Sequence, residues 1–414
     1  MHCWKKINQI LYSAFFFFRC YPNYIKTKRF YRSKRGIGES LTGKASEKKI
    51  LYISWGRIGD TILSTSVLKY LKPVFKGSEI VFIGRGEIKF IAGPYIDRFI
   101  EFDSSKWDRD INYRRDFFEL VFDSYTYIIG DIHLFYGGGF YFGDLMEILP
   151  ADKKFYYQGY FTGKELVPFK HHPSGVIEIP SCKKNPEDIR SLHTLNDNVF
   201  YFQEILRNIF GNQFSEKVIK DRNPRLEPGE SGNNFNYIEN KFRIKQKSYI
   251  ACQPVSNNTK KDYPLKKWKK IFASFPDETF VILGTGKEYK KLKKVESGNV
   301  INLCGRTTIN DVISIILNSR LYVGLDSGLT HIAVNTGKKT LCIAQSSNYG
   351  FFFPYPDFAH CDNLKVIHAK DYEVYMNSFM VSPAEPLFLS KIRGSKDVRE
   401  IDYKAVVDAI HDGL

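Results

Sequence analysis

The sequence predicts an α/β protein made of two Rossmann-like domains, each built from repeated strand–helix units. Short runs rich in Ile, Leu and Val alternate with helix-compatible segments in two separate parts of the 414-residue chain. Between them, residues 221–236 hold two prolines and two glycines, which is typical of a linker. Hydrophobic residues make up 43% and charged residues 26% of the chain, as in a folded globular protein long enough for two domains.

The first repeat opens on the apolar run 49–54, which predicts a buried parallel strand. A turn containing Gly56 and Gly59 follows and ends at Asp60. Together with the next helix and strand it makes a βαβ unit. The other elements expected in this half are a helix over 61–75, strands over 79–84, 99–102, 120–122 and 127–129, and a helix over 196–210.

The second repeat restarts the same alternation, and Thr308 with Asp311 predicts a capping box before one of its helices. The expected strands are 249–253, 280–283, 300–303, 321–323 and 340–344, and the expected helices are 264–275, 287–295, 309–318, 329–335 and 403–414. We therefore expect an N-terminal segment over 1–48, a first domain over 49–225, a linker over 226–236, a second domain over 237–350, and a C-terminal extension over 351–414 whose helix could cross back to the first domain.

The positive charge is concentrated at the N-terminus. Residues 1–49 hold 12 Lys and Arg against two acids, so they carry +10 of the formal charge of +16. An apolar run over 10–18, rich in Phe and too short to span a bilayer, precedes most of these basic residues. This pattern predicts that residues 1–35 bind an anionic membrane surface. A disordered basic tail and an RNA-binding tail are the alternatives. Because the positive charge is concentrated at the N-terminus, it does not favour a nucleic-acid partner for the chain as a whole.

The cysteines and the short motifs predict neither a metal nor a cofactor. The seven cysteines are scattered, and none forms a CxxC pair or a Cys/His cluster, which fits a reducing, cytosolic compartment. Gly284 and Gly286 form only half of a dinucleotide fingerprint. No P-loop, HExxH or GxSxG pattern is present.

A candidate phosphate cradle begins where the apolar run 321–323 ends. The turn after it contains Asp326, Ser327 and Gly328, and the next helix places Thr330 and His331 near its start. A strand, a Gly-containing turn and a helix present unpaired N–H groups and a positive helix end to an anion. Ser327 and Thr330 would add hydroxyls, while Asp326 would cap the helix, because its charge repels a phosphate. The alternative is an ordinary capped helix with an incidental histidine.

Two charged residues elsewhere in the sequence are candidates to act together with this cradle. Lys261 lies in the first βα loop of the second domain, where it suits a diphosphate, although it is one lysine among many in a basic loop. Asp60 ends the first βα turn, at the sheet edge where open α/β domains bind ligands, although it could be a simple N-cap. Two such domains facing a central cleft, with the acid on one side and the cradle on the other, have the layout of a GT-B glycosyltransferase. In that layout the C-terminal domain binds the donor and the N-terminal domain the acceptor.

Three ordered motifs between residues 49 and 345 resemble bacterial heptosyltransferases, glycosyltransferase family 9. They are the stretch 50–71 with Arg-Ile-Gly-Asp at 57–60, the stretch Lys-Asp-Tyr-Pro at 261–264 with Trp268, and the stretch Gly-Leu-Asp-Ser-Gly-Leu-Thr-His at 324–331. The segment 344–348 departs from the family by lacking Gly-Pro-Thr, as do Asn257 and Asn258, which replace commoner residues.

The resemblance implies a role for each matching residue. Asp60 would be the general base toward the acceptor hydroxyl, and Glu288 would contact the nucleoside. The residues expected to hold the nucleotide diphosphate, or to line its loop, are Ser256, Asn257, Lys261, Ser327, Gly328 and His331.

The expected activity is an inverting, metal-independent transfer of heptose from ADP-heptose to a lipopolysaccharide core acceptor, an anionic glycolipid. The protein would work at the cytoplasmic face of the inner membrane. One alternative keeps the fold and transfers another sugar, such as N-acetylglucosamine or a hexose, or glycosylates a protein. Another is a catalytically silent GT-B protein that binds a membrane or a partner, against which the joint presence of Asp60, Lys261 and His331 argues.

Overall fold

The computed structural model describes residues 25–34, 48–136, 139–159, 175–180, 193–211, 218–227, 235–256, 258–345, 350, 352–369 and 398–414. The chain divides into two compact units. The first unit comprises Met1–Arg57, Val67–Lys184 and Asp197–Lys220, and the second Ile58–Ser66, Asn185–Asn196 and Asp221–Leu414.

The first unit contains a parallel sheet of six described strands in the order β3-β2-β1-β4-β5-β6. Its strands are β1 (Lys49–Ile53), β2 (Glu79–Gly84), β3 (Arg98–Glu101), β4 (Tyr125–Gly130), β5 (Ala151–Gly159) and β6 (Ile177–Pro180). Central strand β1 pairs with β2 and β4, so Ile50 stands opposite Ile80 and Tyr127. Runs of Ile, Leu and Val suit a central parallel strand, because helices cover both of its faces.

The helices of this half of the chain precede, connect or follow these strands. They are α1 (residues 25–32), α2 (Ile58–Leu68), α3 (Leu71–Val74), α4 (Lys89–Ala92), α5 (Ser104–Arg109), α6 (Ile111–Val121), α7 (Gly139–Ile148) and α8 (Thr194–Phe210). The side chain of Asp103 caps α5 by accepting the N–H groups of Ser105 and Lys106 at 2.8 and 3.1 Å.

Helix α1 packs in the core of the first unit. The indole Nε1 of Trp107 donates to Thr27 Oγ1 at 2.9 Å, and Tyr31, 1% exposed, lies with its ring 5.4 Å from that of Trp107. The opposite side of α1 exposes Lys26, Arg29 and Arg32. The expectation that residues 1–48 lie outside the globular core is therefore wrong for this helix, while residues 1–24 lie outside the described part of the chain.

The second unit repeats the strand order of the first. Its described strands are β7 (Tyr249–Cys252), β8 (Thr279–Ile282), β9 (Val300–Asn302), β10 (Leu321–Leu325), β11 (Thr340–Ile343) and β12 (Leu364–Ile367), arranged as β9-β8-β7-β10-β11-β12. Its helices are α9 (Phe235–Phe242), α10 (Leu265–Ala273), α11 (Gly286–Leu292), α12 (Ile309–Asn318), α13 (Gly328–Asn335) and α14 (Tyr403–Gly413). The capping box of α12 is confirmed, with the Thr308 N–H 2.9 Å from an Asp311 carboxylate oxygen.

Several sequence expectations are corrected. The expected strand 120–122 is mostly the end of α6, where Phe117, Phe118 and Val121 are buried and Leu120 is exposed, as on an amphipathic helix. Strands β5, β6 and β12 were not predicted. Because β12 joins the second sheet, that domain does not end at residue 350.

The C-terminal helix α14 packs within the second unit and does not cross back. Its residues Val406, Ala409 and Ile410 are buried in the same core as Trp268 and Phe272 of α10. No described helix is both long enough and apolar enough to cross a membrane.

Candidate functional site

The candidate site is built around the turn that joins β10 to α13. All five residues of β10 are buried, and Ser327, in an extended conformation with φ −157°, is the N-cap of α13. The Ser327 side chain makes no capping hydrogen bond to the helix, and a helix start carries backbone N–H groups that can bind an anion. The predicted sequence of strand, turn and helix is confirmed.

This turn lies at the point where the second sheet reverses its strand order. Strands β7 and β10 are parallel neighbours, but the strands that follow them in the chain lie on opposite sides. Open α/β sheets bind ligands at such a point, beyond the carboxyl ends of the strands. Gln253, directly after β7, ties the two connections together, because its Oε1 accepts a hydrogen bond from the Ser327 hydroxyl.

Asp326 holds Lys261 beside the start of α13. The Lys261 ammonium lies 3.2 Å from an Asp326 carboxylate oxygen and donates to the Asp326 backbone carbonyl at 3.1 Å. The Asp326 side chain is 4% exposed, and a carboxylate so buried requires a cationic partner. Ser327, and not Asp326, occupies the N-cap position of α13, so the expectation that Asp326 is the helix cap is wrong. Asp326 instead positions Lys261, whose side chain is 18% exposed and can still reach a ligand.

His331 is a buried, neutral imidazole. It is 3% exposed and stacks on Phe353 with ring centres 4.5 Å apart. Burial lowers the pKa of His331 to about 3, although the nearby Asp60 carboxylate favours the charged form, and Lys261 adds to the lowering. This side chain can therefore donate a hydrogen bond to an anion, but it brings no positive charge of its own.

Asp60 lies in the first turn of α2, and its segment groups with the second unit. A Cβ on Gly59 would lie 2.7 Å from His331 Cδ2, and one on Gly328 would lie 3.1 Å from the Cβ of Ile58. The start of α2 thus packs directly on the start of α13, and only glycine fits at position 59. The expectation that Asp60 belongs to the opposite domain is corrected, because it groups with the predicted donor residues.

Thr330 does not face a ligand. It is fully buried, and its hydroxyl donates to the backbone carbonyl of Leu325 within the turn. The prediction that Thr330 contributes a hydroxyl to the phosphate is therefore wrong.

Two further predicted residues shape the loops around the site. The Ser256 hydroxyl donates to the carbonyl of Asn258 at 2.9 Å, which folds the loop that leads to Lys261. Glu288 is 9% exposed, and its carboxylate accepts the N–H of Thr285, the N-cap residue of α11, at 2.6 Å as part of a capping box. Asn257 lies outside the described residues. The described residues contain no group of three or more His, Cys, Asp or Glu side chains that could hold a metal ion.

Sequence reasoning missed Gln253, Asn335 and Tyr355. Gln253 had a readable signal, since a polar residue directly after a buried strand marks the ligand edge of a parallel sheet. The sequence signal for Asn335 was its position one helical turn after His331. Tyr355 had no signal, because it lies in an irregular segment whose contact with His331 is tertiary.

The first unit has a cavity of about 330 Å³ beyond the ends of β1, β2 and β3. The Arg85 guanidinium carbon lies 5.2 Å from the centre of the Trp55 ring, and Arg85 Nε lies 3.3 Å from a Glu87 oxygen. An aromatic surface with carboxylates and hydroxyls suits a sugar, whose hydroxyls need acceptors and whose C–H faces pack on rings. The cavity is lined by Trp55, Arg85, Gly86, Glu87, Glu101, Phe102, Asp103, Ser104 and Ser105.

Residues 190–374 match the sequence profile of glycosyltransferase family 9 (heptosyltransferase). The predicted resemblance to this family is thereby confirmed over a stretch that includes Lys261 and His331, and with it the prediction of a glycosyltransferase. A search of curated protein sequences finds no match.

Solved structures confirm the predicted GT-B architecture. A glycosyl transferase family 9 protein from Veillonella parvula DSM 2008 superposes with a TM-score of 0.61 at 15% identity, covering 88% of this chain and 97% of that one. The E. coli ADP-heptose LPS heptosyltransferase II gives 0.58 at 14%, covering 88% and 98%. E. coli heptosyltransferase WaaC with ADP-2-deoxy-2-fluoro heptose gives 0.56 at 13%, covering 88% and 100%.

Proposed function

We propose that this chain, which carries a glycosyltransferase family 9 domain over residues 190–374, transfers a heptose from ADP-heptose to a lipopolysaccharide core acceptor, with inversion and without a metal ion. One observation carries the proposal. The start of α13, where the Ser327 side chain makes no capping bond, lies beside Lys261, and His331 of the same helix packs against the segment that carries Asp60.

The donor diphosphate would bind at the start of α13. The backbone N–H groups and the Lys261 ammonium would receive its oxygens, and His331 would donate one hydrogen bond. Negative charge grows on the diphosphate as its bond to the sugar breaks, so these groups stabilise the transition state more than the bound donor. They supply the positive potential that a metal ion supplies in other enzymes of this chemistry.

Asp60 would accept the proton of the acceptor hydroxyl while the oxygen attacks the anomeric carbon from the face opposite the diphosphate. General-base assistance is typically worth about 10²- to 10⁴-fold in rate. The start of α2 is held against His331 at Gly59, which would keep the base close to the bound donor.

The cavity of the first unit supports a glycan acceptor. Its carboxylates at Glu87 and Glu101 favour a neutral sugar unit, so the anionic groups of a glycolipid would lie outside this cavity. This observation also favours a second candidate function, in which the acceptor is a neutral glycan.

A membrane role for the N-terminus is part of the proposal. Helix α1 is docked through Thr27 and Tyr31, which turns Lys26, Arg29 and Arg32 outward on a rigid support. Such a basic face would bind the anionic cytoplasmic leaflet of the inner membrane. Replacing Lys26 and Arg29 by Glu should reduce sedimentation with phosphatidylglycerol vesicles. The same change at the exposed Lys266 and Lys269 of α10 should not, and an equal loss would contradict the assignment.

The donor assignment is tested by thermal stability in the presence of nucleotides. ADP and ADP-heptose should raise the melting temperature of the wild type more than UDP- or GDP-sugars, because only a bound ligand stabilises the folded state. A product analysis with a core acceptor then identifies the transferred sugar and the anomeric configuration. If no nucleotide stabilises the protein, the donor site is wrongly assigned.

A further inference from the structure

A buried polar chain in the second unit links Asn335, Tyr355 and His331. The Asn335 side-chain amide donates to the His331 backbone carbonyl at 2.9 Å and to the Tyr355 hydroxyl oxygen at 3.0 Å. Both hydrogens of the amide group therefore have acceptors, and the amide orientation follows from its two partners. The Tyr355 oxygen is an acceptor in this arrangement.

The Tyr355 hydroxyl has one hydrogen of its own, and it points to His331. The distance from Tyr355 Oη to His331 Nδ1 is 2.6 Å, within the range of a strong hydrogen bond. Of the partners Asn335 and His331, the Asn335 amide nitrogen can only donate, so His331 Nδ1 is the partner that can accept the Tyr355 hydrogen. Tyr355 is 6% exposed, and burial raises its pKa well above the ordinary value, so the hydroxyl stays protonated. His331 Nδ1 is therefore an acceptor.

The other ring nitrogen faces the segment that carries the proposed base. A Cβ on Gly59 would lie 3.4 Å from His331 Nε2, and Asp60 is the next residue. A neutral imidazole with an accepting Nδ1 has its hydrogen on Nε2. Stacking on Phe353, at an angle of 24° between the rings, holds the ring plane. The ring thus offers a hydrogen-bond donor, and not a lone pair, toward the segment that carries Asp60.

We propose that Tyr355 is a positioning residue that locks His331 in the tautomer with hydrogen on Nε2. In the other tautomer, Nε2 would present a lone pair to the Asp60 carboxylate and to a bound diphosphate, and both would be repelled. The consequence for transfer rests on the proposed function. The tautomer itself does not.

The tautomer can be read in the ligand-free protein by nitrogen NMR of ¹⁵N-histidine-labelled samples. The His331 signals are identified by their absence in His331→Gln. The wild type should show one tautomer, with Nδ1 unprotonated and Nε2 protonated. Tyr355→Phe removes only the hydroxyl and should give a mixture of both tautomers. In a transfer assay the same variant should lower kcat on the order of tenfold, with a smaller change in the KM for the donor.

Tyr249→Phe is the matched control. Its hydroxyl donates to the Ile315 carbonyl at 2.7 Å within the same unit, so the variant loses a comparable buried hydrogen bond. It should be less stable while keeping the His331 tautomer and kcat. If Tyr355→Phe does not fold, Asn335→Ala applies the same test, because loss of the Asn335 donor removes the contact that favours the hydroxyl orientation with its hydrogen toward Nδ1.

Three results would overturn the proposal. They are a protonated Nδ1 in the wild type, an unchanged tautomer in both variants, and a loss of kcat no larger than that of Tyr249→Phe. A failure of the proposed transfer reaction would leave the tautomer result intact, so the two can be told apart.

Discussion

The two sheets share one strand order, yet the crevices at the ends of their two central strands are built differently. These strands are β1 and β4 in the first sheet and β7 and β10 in the second. In each sheet a residue after the first strand bonds to a residue after the fourth. In the first sheet the Ser54 hydroxyl donates to Asp131 at 2.5 Å, and in the second the Ser327 hydroxyl donates to Gln253. Topology alone therefore brings together a pair of polar connections twice in this chain.

The two crevices differ in the groups that the aspartate of each turn contacts, Asp131 after β4 and Asp326 after β10. After β4, the Asp131 carboxylate accepts the N–H groups of His133 and Leu134 at 2.9 and 3.2 Å, so the turn satisfies its own donors. After β10, the Asp326 carboxylate pairs with Lys261, and the side chain of Ser327, the N-cap residue of α13, makes no capping hydrogen bond. On the proposed function, the Asp131 carboxylate would repel an anion at the first crevice, while Lys261 and the start of α13 would attract one at the second. The partner of each carboxylate would then account for which of the two crevices binds a phosphate.

The largest effect is expected from Asp60→Asn. It keeps the shape of the side chain but removes the base, so kcat should fall by about 10²- to 10⁴-fold. ADP affinity, measured by calorimetry, should stay within a few-fold of wild type, because Asp60 does not contact the diphosphate. The exposed Asp116, on α6 of the first unit, serves as control, and Asp116→Asn should leave kcat unchanged. Full activity of Asp60→Asn would remove Asp60 from the mechanism.

The comparison of the two crevices is tested by Lys261→Met and Asp131→Ala. Lys261→Met should weaken ADP binding by about 10- to 100-fold, since charge-assisted hydrogen bonds are worth about 1.5–3 kcal/mol. It also leaves the buried Asp326 carboxylate without the Lys261 ammonium. Adding Asp326→Asn should recover stability but not affinity.

Asp131→Ala is the counterpart in the first sheet. It should lower the free energy of unfolding by about 1–3 kcal/mol, because it leaves buried donors unsatisfied. ADP affinity should not change. A loss of ADP binding equal to that of Lys261→Met would show that both crevices take part and would break the comparison.

A smaller effect is expected on the pH dependence of stability. The pKa of His331 is about 3 in the folded protein and near 6.5 when unfolded, so between these values only the unfolded chain takes up the proton. Stability that is present above pH 6.5 is therefore lost as the pH falls toward 3. At about pH 5 the loss from this group is about 2 kcal/mol. Urea unfolding at about pH 7.5 and about pH 5 should show a smaller difference for His331→Gln than for the wild type. An equal difference would mean that His331 titrates normally in the folded protein.

Several parts of the site could be predicted because they depend on local pattern. An apolar run followed by a Gly-containing turn and a helix placed the start of α13 correctly, and the capping pair at Thr308 and Asp311 was readable from spacing. The roles of Asp326 and Thr330 could not be predicted. Each can bond within its own turn or elsewhere, and only the packed structure selects Lys261 for one and the Leu325 carbonyl for the other.

The sequence by itself determined the two parallel sheets, the approximate position of the turn proposed to bind a phosphate, and the residue types that could serve it. These follow from period, turn chemistry and strand order, which act over short distances along the chain. Only the tertiary structure decided that Asp60 groups with the donor residues, that Asp326 supports Lys261, and that Tyr355 sets the state of His331. These contacts join residues far apart in sequence. Because the groups are buried, each needs a specific partner, and no local sequence pattern indicates that partner.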